Sequence, residues 1–335
     1  MGAAVAVYAD ATDRAPCPVC GAHKRCCRKR DGSIVVCYRL DTWGTQRGKL
    51  RTSDRGLGDR WVFRADGASL PTCDPLPVTT ATRAPVEVLD RVYRALLDEL
   101  LLAPVDAGRF EAPYPDGRGL PADEMIRRGY RTLLAGHARV ARAIVDRFGP
   151  EVVAGVPGCY AKRDGARSWW SIGALGLLVP ARDGAGRIVG CQVRCEDGDT
   201  RYRWLSSASH GGPGAGTPCH VPLHTGAPSV VRITEGCLKA DAATLLDPER
   251  ILTLGFPGVA TWSRVLDPLA ALGVRAVRVA FDADWRTNAD VARAMRDCCL
   301  TLKRAGYAVG VEDWRGPKGI DDLFASGGFP VVTWG

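Results

Sequence analysis

Glu235, Asp282 and Asp284 are the residues of this 335-residue chain whose types and spacing point most directly to chemistry. Each follows an apolar, β-branched run: Glu235 in Ile233-Thr234-Glu235-Gly236, the aspartates in Val279-Ala280-Phe281-Asp282-Ala283-Asp284. Residues two apart in an extended segment point the same way, so Asp282 and Asp284 can present their carboxylates together. Three carboxylates at one edge repel unless a cation neutralises them. Hard oxygen donors with room for water and phosphate suit Mg²⁺ or Mn²⁺, and such a centre supports phosphoryl transfer. A lone DxD is often a helix-capping loop. An acid-Gly at one strand end with a DxD two strands later is the stronger pattern.

A second cluster suits a different metal. Cys17-Pro18-Val19-Cys20-Gly21 has the spacing of a zinc knuckle, with a glycine that permits the tight turn around the ion. Cys37 follows a short β-branched strand, Ile34–Val36. The fourth ligand is Cys27 or Cys26, with His23 the weaker substitute. The alternative is a set of unligated thiols, since the second pair is not a second CxxC. The eight cysteines from Cys73 onward read as small core residues.

The elements that position the acids alternate between strand and helix. Strands are expected at Val230–Thr234, Ile251–Leu254, Val274–Phe281 and Tyr307–Glu312. Helices are expected at Leu238–Leu246, Trp262–Leu272, Ala289 to about Ala305 (capped by Asn288) and Ile320–Ala325. Such alternation predicts a parallel sheet covered on both faces, with its chemistry at the carboxyl ends of the strands. Upstream, Leu177–Arg182, a turn at Asp183–Gly186, and Arg187–Cys195 predict a β-hairpin, with Arg201–Leu205 as a third strand. Helices are expected from Val86 through Leu101, after Pro121, and from His137 to Phe148. The Gly-rich run His210–Gly216 lacks a following Gly-Lys-Ser/Thr and reads as a connector.

Charge and composition bound the rest. Of a net +8, residues 14–64 hold thirteen Lys or Arg against four Asp, a local +9, leaving the remainder near −1. A basic attachment on a near-neutral body is suited to a polyanion, although a solvated charged surface has the same composition. No apolar run reaches eighteen residues, so no membrane span is expected. The opening lacks a secretory pattern, and a cytoplasmic protein is expected. The chain divides into a module at 14–64, a Pro/Thr/Ala-rich linker at 65–85, and domains at 86–228 and 229–335.

Three segments carry a family resemblance. Ile233–Ala243 (ITEGCLKADAA), Val279–Asp284 (VAFDAD) and Lys318–Gly327 (KGIDDLFASG) resemble the glutamate, DxD and final acidic motifs of the Toprim domain. That domain is shared by DnaG-type primases, topoisomerases and some nucleases. The version here is most similar to the Toprim-like domain of unknown function in primase proteins of phages and mobile elements. Gly176–Arg194 with Thr200–Ser207 is similar to the segment preceding Toprim in the DnaG-type core, and Cys17–Arg39 resembles the zinc ribbon that opens primases. The resemblance implies an α/β fold: a parallel Toprim sheet flanked by helices, preceded by an α+β primase-core domain and an N-terminal zinc ribbon. It favours Cys27 as the fourth zinc ligand, with Cys17, Cys20 and Cys37.

The implied activity is primer synthesis on single-stranded DNA from nucleoside triphosphates. Glu235, Asp282, Asp284 and Asp321 would hold Mg²⁺ or Mn²⁺, and Lys239 would serve the reaction. The chain departs from the family in carrying Lys239 where a further aspartate stands, and Gly319 at the first acid of the final segment. Lys239 is either a point charge for a nucleotide phosphate or a solvated first-turn lysine. Arg182, Arg187, Arg194, Arg201 and Arg203, with Arg28, Lys29 and Arg30 in the ribbon, are the candidate contacts to the strand. Tyr202 and Trp204 are candidates for base stacking. One by one, alternating arginines are more often a solvated strand face. No helicase module follows, so any replicative helicase is expected as a separate chain. A Toprim nuclease would use the same acids, and a non-catalytic accessory would bind nucleic acid without them.

Overall fold

In a computed structural model, the residues described are 8–12, 15–21, 26–29, 33–37, 42–43, 46–47, 49–51, 60–64, 82–134, 137–164, 167–173, 175–195 and 201–335. Two units are distinguished, Met1–Val78 and Thr79–Gly335. The first contains seven short strands among its described residues: β1 (Tyr8–Asp10), β2 (Cys27–Lys29), β3 (Ile34–Cys37), β4 (Thr42–Trp43), β5 (Gln46–Arg47), β6 (Lys49–Arg51) and β7 (Arg60–Arg64). Five form an antiparallel sheet in the order β1-β2-β3-β7-β6, and β4 pairs with β5. Its small core is made of Cys17, Cys26, Val35, Cys37 and Phe63 with Ala11. So few apolar side chains bury little area, and a module this small ordinarily needs a metal or disulfide to hold it.

The second unit begins with α1 (Val86–Asp98), α2 (Pro104–Glu111), α3 (Ala122–Arg127), β8 (Arg131–Leu133), α4 (Ala138–Phe148) and α5 (Pro150–Ala154). Helix α1 buries Leu89, Val92, Leu96 and Leu97, the three- and four-residue stripe expected of it. It ends at Asp98, so Leu101 lies beyond it and is 85% exposed. Two hairpins follow: β9 (Cys159–Asp164) with β10 (Arg167–Ile172), and β11 (Gly176–Arg182) with β12 (Ile188–Arg194). With β13 (Tyr202–Trp204), the second hairpin makes an antiparallel sheet ordered β13-β12-β11-β8. The β9–β10 hairpin was not expected.

The remainder alternates: β14 (Val230–Glu235), α6 (Cys237–Leu246), β15 (Leu252–Phe256), α7 (Leu266–Leu272), β16 (Ala276–Val279), α8 (Ala289–Arg304), β17 (Ala308–Asp313), α9 (Ile320–Ala325) and β18 (Val331–Trp334). The sheet order is β15-β14-β16-β17-β18, with β18 antiparallel to the four parallel strands. Asn288 caps α8 as expected, its side chain accepting from the amides of Asp290 and Val291. Two expectations are corrected. The first half of the Trp262–Leu272 helix is a 3₁₀ segment, Val259–Val265, and β18 is a strand that the alternation did not anticipate. The short β-branched run Val331-Val332-Thr333 forms a strand here because β17 offers an open edge.

Cysteines behave largely as small apolar groups in this unit. Burial pushes the Cys159, Cys191 and Cys219 thiols up to about 12, which removes the thiolate needed for reactivity. Among the described residues, no helix is long and apolar enough to cross a membrane.

One buried cation holds the parallel sheet together. Arg232 on β14, 1% exposed, donates to Glu312 (2.6 Å), Asp247 (2.8 Å) and Thr253 (3.2 Å), and lies over the Phe324 ring. Arg232→Met would strand two buried carboxylates. We expect it to lower unfolding free energy by about 3–5 kcal/mol, measured from the urea midpoint; a loss below about 1 kcal/mol would mean that water already reaches the acids.

Candidate functional site

The parallel sheet brings Glu235 and the DxD segment to its carboxyl edge, because β14 and β16 are adjacent and in parallel register. Glu235 ends β14, and Gly236, at φ +84°, turns the chain directly into α6. The neighbouring strand crosses very close to that turn: a Cβ at Gly255 would lie 2.5 Å from the Gly236 carbonyl oxygen. Asp282 follows β16 through the fully buried Ala280 and Phe281 and is itself 7% exposed. Asp284 sits in the short 3₁₀ turn Ala283–Arg286. The Ala283 amide donates to the Lys318 carbonyl (2.9 Å), which ties the two acidic loops to each other, and the Trp314 indole donates to Pro317 (2.9 Å) within the second of them.

Lysines neutralise these acids. Lys239, one turn into α6, contacts Oδ1 of Asp282. Lys318 stands 2.9 Å from Asp284 Oδ2 and 3.7 Å from Asp282 Oδ2. Its hydrogen bond to Asp284 holds the Lys318 ammonium above its usual range. Burial, with Asp282 beside it, pushes the Glu235 carboxyl up to about 7 against the pull of Lys239. Glu235 is thus disfavoured as its anion even with two lysines near by. Hard oxygen donors, a carboxyl destabilised as its anion, and the Lys318 ammonium seated between Asp282 and Asp284 fit a divalent cation.

Asp321 is placed differently from expectation. It is fully buried, pairs with Arg118, and its Oδ1 has no hydrogen-bond partner. A Cβ at Gly319 would collide with that oxygen and approach the Lys239 stem at 3.3 Å. The glycine therefore leaves room for Asp321 to face Arg118. Arg118 also reaches Asp322 at 3.1 Å.

Helix α6 is anchored below the site by a buried network. Asp241 pairs with Arg128, accepts from the Tyr130 hydroxyl (2.8 Å), and faces His220 Nε2 at 3.2 Å. Burial alone would raise this carboxyl, but His220 and Arg128 hold it well below the usual carboxylate range. A depressed folded pKa contributes stability that is present above the unfolded value near about 4 and is lost as pH falls through the folded one. Asp241→Asn should cost about 3 kcal/mol at pH 7, and the gap between the two proteins' melting temperatures should narrow on acidification below about pH 4. A constant gap across pH would assign the loss to packing.

The candidate strand contacts separate into two groups. Arg182 is buried: it donates to the carbonyls of Arg128 (2.9 Å) and Gly186 (3.1 Å) and does not face solvent. Arg187 is held by Asp183 and Glu87, each at 2.8 Å. Arg203 is exposed. Arg194 and Arg201, by contrast, line one cavity of about 560 Å³ with Arg109, Tyr114, Arg118 and Tyr202. Arg118 and Tyr202 also line a cavity of about 200 Å³ with Glu235 and Lys239, so the arginine-lined cleft adjoins Glu235. Arg109, Tyr114 and Arg118 were missed because they lie in the α2–α3 segment, far from the acids in sequence. The available signal was the Arg and Tyr content of a Pro/Gly-rich loop. Trp204 is half-buried against the core.

In the N-terminal unit, Cys17, Cys20, Cys26 and Cys37 converge with all four sulfurs within 4.8 Å of one another. Among the described residues, this is the group of metal-ligand side chains gathered that closely. The Cys20–Cys26 and Cys26–Cys37 sulfurs are 3.7 and 3.9 Å apart. A tetrahedral zinc site with 2.3 Å bonds separates its sulfurs by about 3.8 Å. The four thiols therefore fit zinc, and Cys26 replaces the expected Cys27. Successive residues at the entry to β2 face opposite ways; Cys26 turns inward at 1% exposure, leaving Cys27 on the other face. Arg28 is 9% exposed, Lys29 reaches Ser33 at 3.5 Å, and Arg30 lies outside the described residues.

Residues 224–330 match a family model described as a domain of unknown function, DUF3854. No curated protein matches the chain. Among solved structures, the chain is similar to the DnaG primase catalytic domain bound to single-stranded DNA, at 18% identity over 73% of this chain and 80% of that one, with TM-score 0.51. It is similar to the zinc-binding and RNA polymerase domains of Aquifex aeolicus primase (13% identity, 74% and 62% covered, TM-score 0.51). It is also similar to the RNA polymerase domain of Mycobacterium tuberculosis DnaG in complex with double-stranded DNA (17% identity, 72% and 77% covered, TM-score 0.51). At these identities the likeness establishes a shared fold.

Proposed function

We propose that this chain is a primase-like nucleotidyltransferase that makes short primers on single-stranded DNA, with a Toprim centre formed by Glu235, Asp282 and Asp284. The observation that carries the reading is the edge of the parallel sheet. Asp282 and Asp284 pair with Lys239 and Lys318, and Glu235 beside them adjoins an arginine-lined cleft, on the fold of a primase catalytic domain. A divalent cation held by the three carboxylates supplies a Lewis acid toward phosphate oxygens.

The chain's own groups do the remaining work. Arg194, Arg201 and Arg109 supply fixed positive charge for a template backbone, releasing counterions as they pair with phosphates. Tyr202 and Tyr114 line the same cleft and offer ring faces to bases. Buried Leu238 and half-buried Pro257 line the same cavity as Glu235 and would restrict water around the reacting phosphate. The zinc ribbon would hold template or help select a start site, and nucleoside triphosphates are the proposed substrates.

The test is incorporation of labelled nucleotides on mixed-sequence single-stranded DNA with Mg²⁺ or Mn²⁺. Short products that vanish on chelation are expected. Tight binding to the strand without products would sink the polymerase reading; a cut template would then identify a nuclease, and an intact one a binding accessory.

A further inference from the structure

Lys239 and Lys318 are paired with two of the carboxylates that would hold a divalent cation. Lys239 contacts one oxygen of Asp282, and Lys318 faces the other at 3.7 Å while holding Asp284 at 2.9 Å. Both oxygens of Asp282 and one of Asp284 thus face an ammonium group. Asp321, fully buried and paired with Arg118, lies beside Gly319, where the Lys239 stem also passes. The two lysines differ in freedom. The Lys239 side chain is 18% exposed and rooted in α6, whereas that of Lys318 is 65% exposed on the loop before α9.

We infer that Lys239 and Lys318 are place-holders for metal that become a phosphate-binding pair once metal enters. The inference rests on the proposed metal role of the acids and names what the same site binds next: the phosphate chain of a nucleoside triphosphate. A divalent cation between Asp282 and Asp284 displaces the ammonium groups, because both compete for the same carboxylate oxygens. The displaced ammoniums stay within a side chain's length of those acids, where phosphate oxygens gather around the cation. Lysine suits this exchange, being a compact charge on a flexible stem that carries no fixed fork geometry. Metal and phosphate then bind with positive coupling, each raising the affinity for the other by the same factor. In the metal-free protein the lysines are spent on the carboxylates, and the site has little affinity for phosphate.

The experiment uses the full chain, Mn²⁺ alone and then inorganic pyrophosphate, both followed by calorimetry. Lys318→Ala should bind Mn²⁺ roughly tenfold more tightly than wild type, because a competing charge within 4 Å is gone. Arg286→Ala is the control for net charge: it removes an equal charge from the turn that carries Asp284, but its guanidinium pairs with Asp313. It should change Mn²⁺ affinity by less than about twofold. With saturating Mg²⁺, Lys318→Ala should bind pyrophosphate roughly tenfold more weakly, and wild type should bind it only when metal is present. Lys239→Met, which keeps the stem and removes the charge, should reproduce both effects.

Weaker or unchanged Mn²⁺ binding in Lys318→Ala overturns the exchange, as does pyrophosphate binding by wild type in a chelator. Wild type that binds no Mn²⁺ at all overturns the metal reading itself. Normal Mn²⁺ binding with inert lysines leaves that reading intact and removes only this inference.

Discussion

Asp282→Asn is expected to reduce primer synthesis by about 10²–10³-fold while the chain stays folded. The substitution preserves shape and removes one charge from the most shared carboxylate of the edge, which contacts Lys239 and Lys318 together. Folding should survive because Lys318 is mostly solvated and Lys239 retains Glu235 nearby to offset its charge. Asp321→Asn separates the two roles that the sequence assigned alike. Its carboxylate is fully buried against Arg118, so its loss should appear first as a lower melting temperature. Labelled-nucleotide incorporation and thermal denaturation, measured on both variants, distinguish these outcomes. Wild-type activity in folded Asp282→Asn would remove the acids from the reaction.

The zinc cluster gives the other large effect. Cys26→Ser should abolish stoichiometric zinc and unfold the N-terminal unit, whereas Cys27→Ser should retain both. A structural zinc site contributes on the order of 10 kcal/mol of folding free energy, far more than the handful of buried side chains in this unit can replace. Losing one of four thiolates should remove most of that. Bound zinc, quantified after dialysis, and proteolysis of residues 1–78 are the readouts. Zinc retained in Cys26→Ser but lost in Cys27→Ser would reverse the assignment of ligands.

The choice between those neighbouring cysteines shows where local pattern stops. Spacing and residue type identify a four-thiol site with Cys17, Cys20 and Cys37, but cannot say which way a strand enters its sheet. Pairing of β2 with β1 and β3 turns Cys26 inward. The arginines illustrate the same limit. Arg182, Arg187, Arg194 and Arg201 look alike along one hairpin, yet Arg182 closes a buried turn and Arg187 is taken by acids. Arg194 and Arg201 meet Arg109 and Arg118 from a distant loop.

What the sequence by itself determined was the periodic part. Apolar β-branched runs separated by helical stripes specify a parallel sheet, and a parallel sheet places Glu235 and Asp282 at one edge because both follow strands running the same way. Asn288 capping and Gly149 at φ +82° made the start of α8 and the end of α4 legible to the residue. Only the tertiary structure decided how charge is shared among those acids. Lys239, Lys318 and Arg118 reach them across tens to hundreds of residues, with no periodicity to signal the meeting. Ion pairs depend on where folded elements meet, whereas strands and helices depend on the residues beside them.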